Sequence, residues 1–160
     1  MGLWDHLNVE VVEEDGPNQE LVFEKVEEDA VLPSRGHESD AGLDLYCQDA
    51  VTIPPGGFAR VGTGVKVQLY SEEWGLIVGR SSTLAGLGLL VAPGVVDPSY
   101  KGELMIAVQN LTDINAYVTK GQRLAQFILM INVGGRCEPV WGSIEENSER
   151  GTGGFGSTGS

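Results

Sequence analysis

The chain of 160 residues is short of positive charge: 10 Lys and Arg stand against 23 Asp and Glu, for a formal net charge of −13. That balance excludes a general nucleic-acid binder, which needs a basic face. Cysteine is almost absent. Cys47 and Cys137 are the only two and lie far apart, so no disulfide framework is expected and a reducing cytosol is the expected compartment. Cys47, in the apolar run that begins at Leu43, reads as a small packed hydrophobe. No run approaches the roughly 20 apolar residues of a membrane-spanning helix. The opening residues, Met1-Gly-Leu-Trp-Asp-His6, lack the basic and apolar regions of a signal peptide, and they lack the Ser or Thr at position 6 that myristoylation wants. No His/Cys cluster has zinc spacing, and His6 and His37 are isolated and take no role. Neither a G-x-S-x-G elbow nor a P-loop is present. Long helical periodicity and internal repeats are missing too.

What remains is a chain of short strands punctuated by turn residues. Its length suits one domain with a substantial core. Strands are expected at Leu21–Val26, Val51–Ile53, Val65–Leu69, Trp74–Gly79, Glu103–Asn110, Asn115–Val118 and Arg123–Ile131. Pro54-Pro-Gly-Gly57 marks a turn after the second of these. Val65–Leu69 alternates with period two, as a half-buried strand does. Arg123–Ile131 is nearly all apolar and is expected to be buried on both faces. The pattern predicts an all-β fold (a sandwich, barrel or jelly roll) with at most one short helix. Residues 1–20, acidic and irregular, read as an N-terminal extension. Residues 21–149 form the β domain, and 150–160 a glycine-rich arm. The Glu-rich and Asp-rich stretch from Glu10 to Asp29 reads as a solvated face.

Five segments carry candidate chemistry. Asp44, in the apolar strand after Gly42, is a carboxylate that wants a cation, a metal or several amides. Gly79-Arg-Ser-Ser-Thr-Leu-Ala85 follows a strand and opens one helical turn, with Ser81 or Ser82 as N-cap. Free amides, two hydroxyls and Arg80 there suit either a phosphate or a plain cap with a surface arginine. Ala92-Pro-Gly-Val-Val-Asp-Pro-Ser-Tyr-Lys-Gly-Glu103 has the turn chemistry of a tight hairpin. In it, Asp97 either polarises a water or closes an Asx-turn, and Tyr100 packs on a ligand or on the rim. Gln126, inside an apolar strand, must be hydrogen-bonded, because an unpartnered buried amide costs about 1–3 kcal/mol. Lastly, Arg150-Gly-Thr-Gly-Gly-Phe-Gly-Ser-Thr-Gly-Ser160 cannot pack a core. It is either a Gly/Ser tail or a lid offering a cation, a flat ring and free amides.

In their order and spacing, Ala41-Gly-Leu-Asp-Leu45, Arg80-Ser-Ser82, Pro93–Glu103, Gly121-Gln-Arg-Leu-Ala-Gln126 and Arg150–Gly159 resemble the five motifs of the trimeric dUTP pyrophosphatase (dUTPase) family. The likeness runs from about Leu21 to Ser160. It implies a β jelly roll assembled as a homotrimer, with each active site drawing on three subunits and the arm closing over the nucleotide. The implied reaction is hydrolysis of dUTP to dUMP and pyrophosphate with Mg2+, which limits uracil incorporation into DNA and supplies dUMP for dTMP synthesis. Carried over residue by residue, Asp97 orients the attacking water at the α-phosphorus and Gln126 holds that water or a phosphate oxygen. Arg80, Ser81, Ser82 and Arg150 hold phosphates, and Asp44 reaches the metal through water. Tyr100 excludes a 2′-hydroxyl, while Gly94, Val95, Val96 and Met105 face the uracil edge. Phe155 stacks on the base, and Gly156 offers its amide to the terminal phosphate.

Two departures accompany the likeness. Val91 stands where the family usually has a uracil-reading Asn, so base reading must rest on backbone or water. The second motif also looks like that of the related dCTP deaminases, which makes deamination, alone or in a bifunctional enzyme, the first alternative. The deaminases, however, carry a catalytic Glu where this chain has Ala107, and without it the amine has no proton shuttle. The second alternative is a phage-type regulatory protein acting through a protein partner, with the acidic region before Leu32 and the loops Ala50–Gly57 and Leu84–Leu90 as contact surfaces.

Overall fold

The computed structural model of the protein describes residues 20–131 and 139–143. Within them the chain is a β jelly roll with one short helix. The strands are β1 (Phe23–Lys25), β2 (Gly42–Tyr46), β3 (Val51–Ile53), β4 (Phe58–Gly62), β5 (Val65–Val67), β6 (Glu73–Gly79), β7 (Leu89–Val91), β8 (Gly94–Val96), β9 (Met105–Asn110), β10 (Ala116–Val118) and β11 (Arg123–Ile131), with helix α1 (Ser81–Leu87) between β6 and β7. All pairings are antiparallel. A four-stranded sheet runs β2-β11-β6-β8 and a three-stranded sheet β4-β9-β7, with two-stranded ribbons β1-β5 and β10-β3.

The alternation seen in the sequence becomes the inside and outside of these sheets. In β9, Ile106, Val108 and Asn110 are buried while Gln109 is exposed. Leu45, Ile53, Leu89, Leu104, Ile106, Leu124 and Phe127 form the centre of one core, with Phe23 edge-on to Phe127 at 6.1 Å between ring centroids. Cys47 is packed in that core as expected, and burial pushes its thiol up to about 12. Buried Asn110 ties loops together, its amide donating to the carbonyls of Ile53 and Ile114 at 2.9 and 2.7 Å. At the rim, Lys120 and Gln48 both donate to Asp29, which holds that carboxyl below its usual range. Turns fall where glycine permits them. Gly56 sits at φ 66° in the Pro54–Gly57 turn, and Gly88 ends α1 in the left-handed region at φ 62°.

Several expectations need correction. The first strand is shorter than Leu21–Val26, and β4 and β7 were not anticipated. The 92–103 segment is not a hairpin closed on itself. Its strand β8 pairs with β6, while β7 and β9 pair with each other in the other sheet. Ile77 of β6 and Val96 of β8 are both buried, and this long-range pairing outweighs a turn-rich local return. Strand β11 is not buried on both faces along its length: Leu124, Ala125 and Phe127 are, but Leu129, Met130 and Ile131 are exposed. The run outreaches the core of a single chain. Val140 and Trp141 are open to solvent, whereas Val108 is wholly buried. No helix among the described residues is long and apolar enough to cross a membrane.

Candidate active site

Strand pairing, and not sequence proximity, builds the polar cleft. Gln126 of the central strand β11 faces Asp44 of β2 on one side and Val78 of β6 on the other. The chain leaves β6 at Gly79 and turns through Arg80 into α1. Buried Thr83 pins that helix to β11 by donating to the Leu124 carbonyl at 2.7 Å. The helix is capped differently from expectation. Arg80 is the N-cap, at φ −82° and ψ 150°, and no side chain caps the helix. Ser81 and Ser82 both fall inside the first turn, so their hydroxyls are not committed to capping. The Arg80 side chain instead turns to Asp44.

Asp44 is the electrostatic centre of this group. Its Oδ1 meets Arg80 Nε at 2.7 Å and its Oδ2 meets Arg123 Nη1 at 3.0 Å. The cation required by a buried carboxylate is thus supplied twice, and the three side chains carry one net positive charge. Arg80 Nη1 also reaches Ser82 Oγ at 3.5 Å. Gln126 Nε2 donates to the Gly79 carbonyl at 3.4 Å, a long bond that leaves its oxygen available. Gly42 makes room for this amide, since a Cβ there would lie 3.1 Å from Gln126 Cβ and collide with Oε1. Together Asp44, Arg80, Ser81, Ser82, Arg123 and Gln126 line a cleft of about 340 Å3, with His37 at its margin. Arg123 and His37 were assigned nothing from the sequence. A lone cation at the start of the mainly apolar β11 was the signal available for Arg123.

Among the described residues no three His, Cys, Asp or Glu converge as a metal-ligand set. Both Asp44 oxygens already accept from arginine. Such a donor set does not form a protein cage for Mg2+. It does fit an ion that keeps its waters and is carried mainly by substrate phosphates, with Asp44 contacting it through water.

The other expected residues lie elsewhere. Beside the polar cleft, a mainly apolar one of about 500 Å3 is lined by Gly79, Arg80, Ser81, Leu84, Ala85, Leu89, Leu90 and Val91. Val91 is buried against Gly79. Gly94, Val95 and Val96 form β8, with only Val96 buried. Asp97 follows, exposed, and its side chain has no hydrogen-bond partner among the described residues, so it closes no Asx-turn. Tyr100 donates to the Glu103 carbonyl at 2.8 Å, and its ring packs over Gly102. Glu103 in turn accepts from the Gly64 amide at 2.7 Å, which buttresses this loop on the three-stranded sheet side. Met105 and Ala107 are half-buried in β9. Arg150, Phe155 and Gly156 lie outside the described residues, as does the N-terminal extension before residue 20.

The register separates these two groups. Val96 faces Gly75 near the start of β6, whereas Arg80 follows its end. At about 3.3 Å per residue, Asp97 and Arg80 of one chain stand about 20 Å apart along the strand.

The dUTPase family model matches residues 28–159. A deoxyuridine 5′-triphosphate nucleotidohydrolase of Rhodococcus erythropolis is 39% identical, over 87% of this chain and 85% of its own length. The enzyme of the same name from Paramecium bursaria Chlorella virus 1 is 37% identical, over 87% of this chain and 97% of its own. Among solved structures, a mutant dUTPase of Staphylococcus bacteriophage 80alpha with dUpNHpp superposes with a TM-score of 0.75 at 26% identity, covering 90% of this chain and all of that one. A mutant dUTPase from phage phi11 of S. aureus, described with a structural Mg(II) ion, shares the fold at 23% identity and a TM-score of 0.67, over 82% of this chain and 97% of its own. The chain belongs to the dUTPase family. By class it is a nucleotide pyrophosphohydrolase.

Proposed function

We propose that the protein hydrolyses dUTP to dUMP and pyrophosphate in sites shared between subunits of a homotrimer. The observation that carries this reading is the β6–β8 register, which sets Asp97 near the start of β6 and Arg80 beyond its end, roughly 20 Å apart at about 3.3 Å per residue. A water base at the α-phosphorus and the groups that hold the neighbouring phosphates must lie within a few ångströms of each other, so they come from different chains. The exposed apolar end of β11 and exposed Val140 and Trp141 offer surface for that association.

In this site Arg80, Ser81 and Ser82 bind the phosphate chain, joined by Arg150 of the arm. The Asp97 carboxylate, without a hydrogen-bond partner among the described residues, accepts a hydrogen bond from water and aims the water's lone pair at the α-phosphorus. The Gln126 amide holds that water or a phosphate oxygen. Mg2+, held on the triphosphate and reached by Asp44 through water, supplies neutralisation of phosphate charge. Gly94, Val95, Val96 and Met105 present backbone to the uracil edge, because the buried Val91 side chain has no polar atom to offer. Tyr100, with its hydroxyl committed to Glu103, keeps its ring fixed against C2′ of the sugar. Phe155 stacks on the base, and Gly156 donates its amide to the last phosphate when residues 150–160 close. Residues 1–20 are an extension outside this machinery. The enzyme name carried by relatives at 35–39% identity favours catalysis over the regulatory alternative.

The test is kcat/KM for dUTP, dTTP, dCTP and UTP with Mg2+, and for dUTP with EDTA. A preference for dUTP of at least about 10²-fold, matching a penalty of several kcal/mol for unpaired polar groups, is expected, with loss of rate in EDTA. Equal values for dUTP and dCTP would show that Val91 marks a changed pocket. A monodisperse active monomer would rule out the shared site.

A further inference from the structure

Asp44 presents a difficulty for any anion site. In contact with Arg80 alone it would cancel that arginine, leaving a neutral pair to meet a polyphosphate on a chain of net charge −13. Arg123 changes the balance. Its Nη1 takes the other Asp44 oxygen at 3.0 Å.

A second observation is independent of charge. Residues an odd number apart on a regular strand point to opposite faces, yet Arg123 and Gln126 line the same cleft. The pairing of β11 with β2 explains how. Arg123 faces Tyr46 and Ala125 faces Leu45, so an extra residue is inserted between them as a bulge. Leu124 and Ala125 are accordingly both buried. The bulge turns Arg123 onto the Gln126 side, the re-aiming that bulges provide beside active sites.

We propose that Arg123 is a positioning residue of the phosphate site. It occupies the second oxygen of Asp44, keeps the cleft cationic, and leaves Arg80 tethered by its Nε so that its terminal nitrogens face the phosphates. This rests on the proposed function for its biological meaning, but the anion chemistry is testable without turnover. Because Arg123 gives Asp44 one N–H contact, lysine can replace it.

The experiment compares wild type, Arg123→Gln and Arg123→Lys by dUTP kinetics with Mg2+ and by calorimetric binding of inorganic pyrophosphate. Arg123→Gln is expected to raise KM and weaken pyrophosphate binding about tenfold, with kcat within about threefold. Arg123→Lys should restore both to within about threefold. Unchanged KM and pyrophosphate affinity in Arg123→Gln, or Arg123→Lys as impaired as Arg123→Gln, overturns the proposal. Should Arg123→Gln not fold, Arg123→Lys carries the test alone: pyrophosphate affinity within about threefold of wild type supports the proposal, and a tenfold loss overturns it. A wild type that binds pyrophosphate but leaves dUTP intact defeats the proposed function, while the pyrophosphate measurements still decide the role of Arg123.

Discussion

Gly42→Ala tests whether the Gln126 amide sits where catalysis needs it. Gly42 lies two residues before Asp44 on β2, and its missing side chain is the space that Gln126 fills. A methyl there would lie 3.1 Å from Gln126 Cβ and Cδ and overlap Oε1, where ordinary contact begins at 3.4 Å. Cβ is fixed to the β11 backbone and gives by a few tenths of an ångström, whereas the amide oxygen must retreat by about 1 Å. A displacement of about 1 Å in a positioning group costs about 10²-fold in rate. Stability should change far less. Crowding costs about 1–3 kcal/mol, and replacing glycine in a strand returns about 0.5–1 kcal/mol. The expected result is therefore a kcat lowered about 10- to 100-fold, with KM within about threefold and melting lowered by only a few degrees. Steady-state kinetics by pyrophosphate release and a thermal melt suffice. A kcat within twofold of wild type, with the melt unchanged, would refute the placement of Gln126 at the reacting centre.

Three other outcomes are expected. Asp97→Asn removes charge but not shape, so binding of a non-hydrolysable dUTP analogue should stay within about tenfold while turnover falls about 10²-fold or more; near-normal turnover would show that Asp97 is not the base. Gly75→Ala places a methyl onto the fully buried Phe127 ring, with Cζ at 2.5 Å, and should cost about 1–3 kcal/mol or more in denaturant unfolding; an unshifted midpoint would contradict the packing. The Cys47 thiol, held up to about 12 by burial, stays protonated at pH 8, so in a Cys137→Ser background iodoacetamide should label it only after unfolding. By linkage, raising the pH above about 8.5 favours the unfolded chain, which releases that proton first, and rapid labelling of the native protein would refute the burial.

Legibility differed by the kind of physics involved. Short apolar runs bounded by turn residues disclosed β3, β6, β10 and β11 nearly to the residue. The need of Asp44 for a cation was legible from burial alone, but its two partners were not, since they arrive from β11 and the β6–α1 turn through pairing. Serine chemistry suggested a capped helix, and the ion pair of Arg80 with Asp44 outweighed it. Proline and glycine around Asp97 suggested a closed hairpin, yet β8 found its partner in β6, about twenty residues earlier. The apolar length of β11 was visible, but a single sequence shows only that a face is apolar, not whether its own core covers it.

Strand order has a consequence for how this chain is made. The final described strand, β11, is not at an edge but lies between β2 and β6. During synthesis the nascent chain completes β2 long before the strand that will pair with it, and β6 then has only β8 beside it. The central sheet can close only after Ile131 has been added, by joining segments distant in sequence, which is the slow class of folding step. A ribosome that stops short of Arg123 therefore releases no half-formed enzyme. It releases two unsatisfied strand edges bearing Leu43, Leu45 and Ile77, substrates for chaperones and proteases or seeds for aggregation.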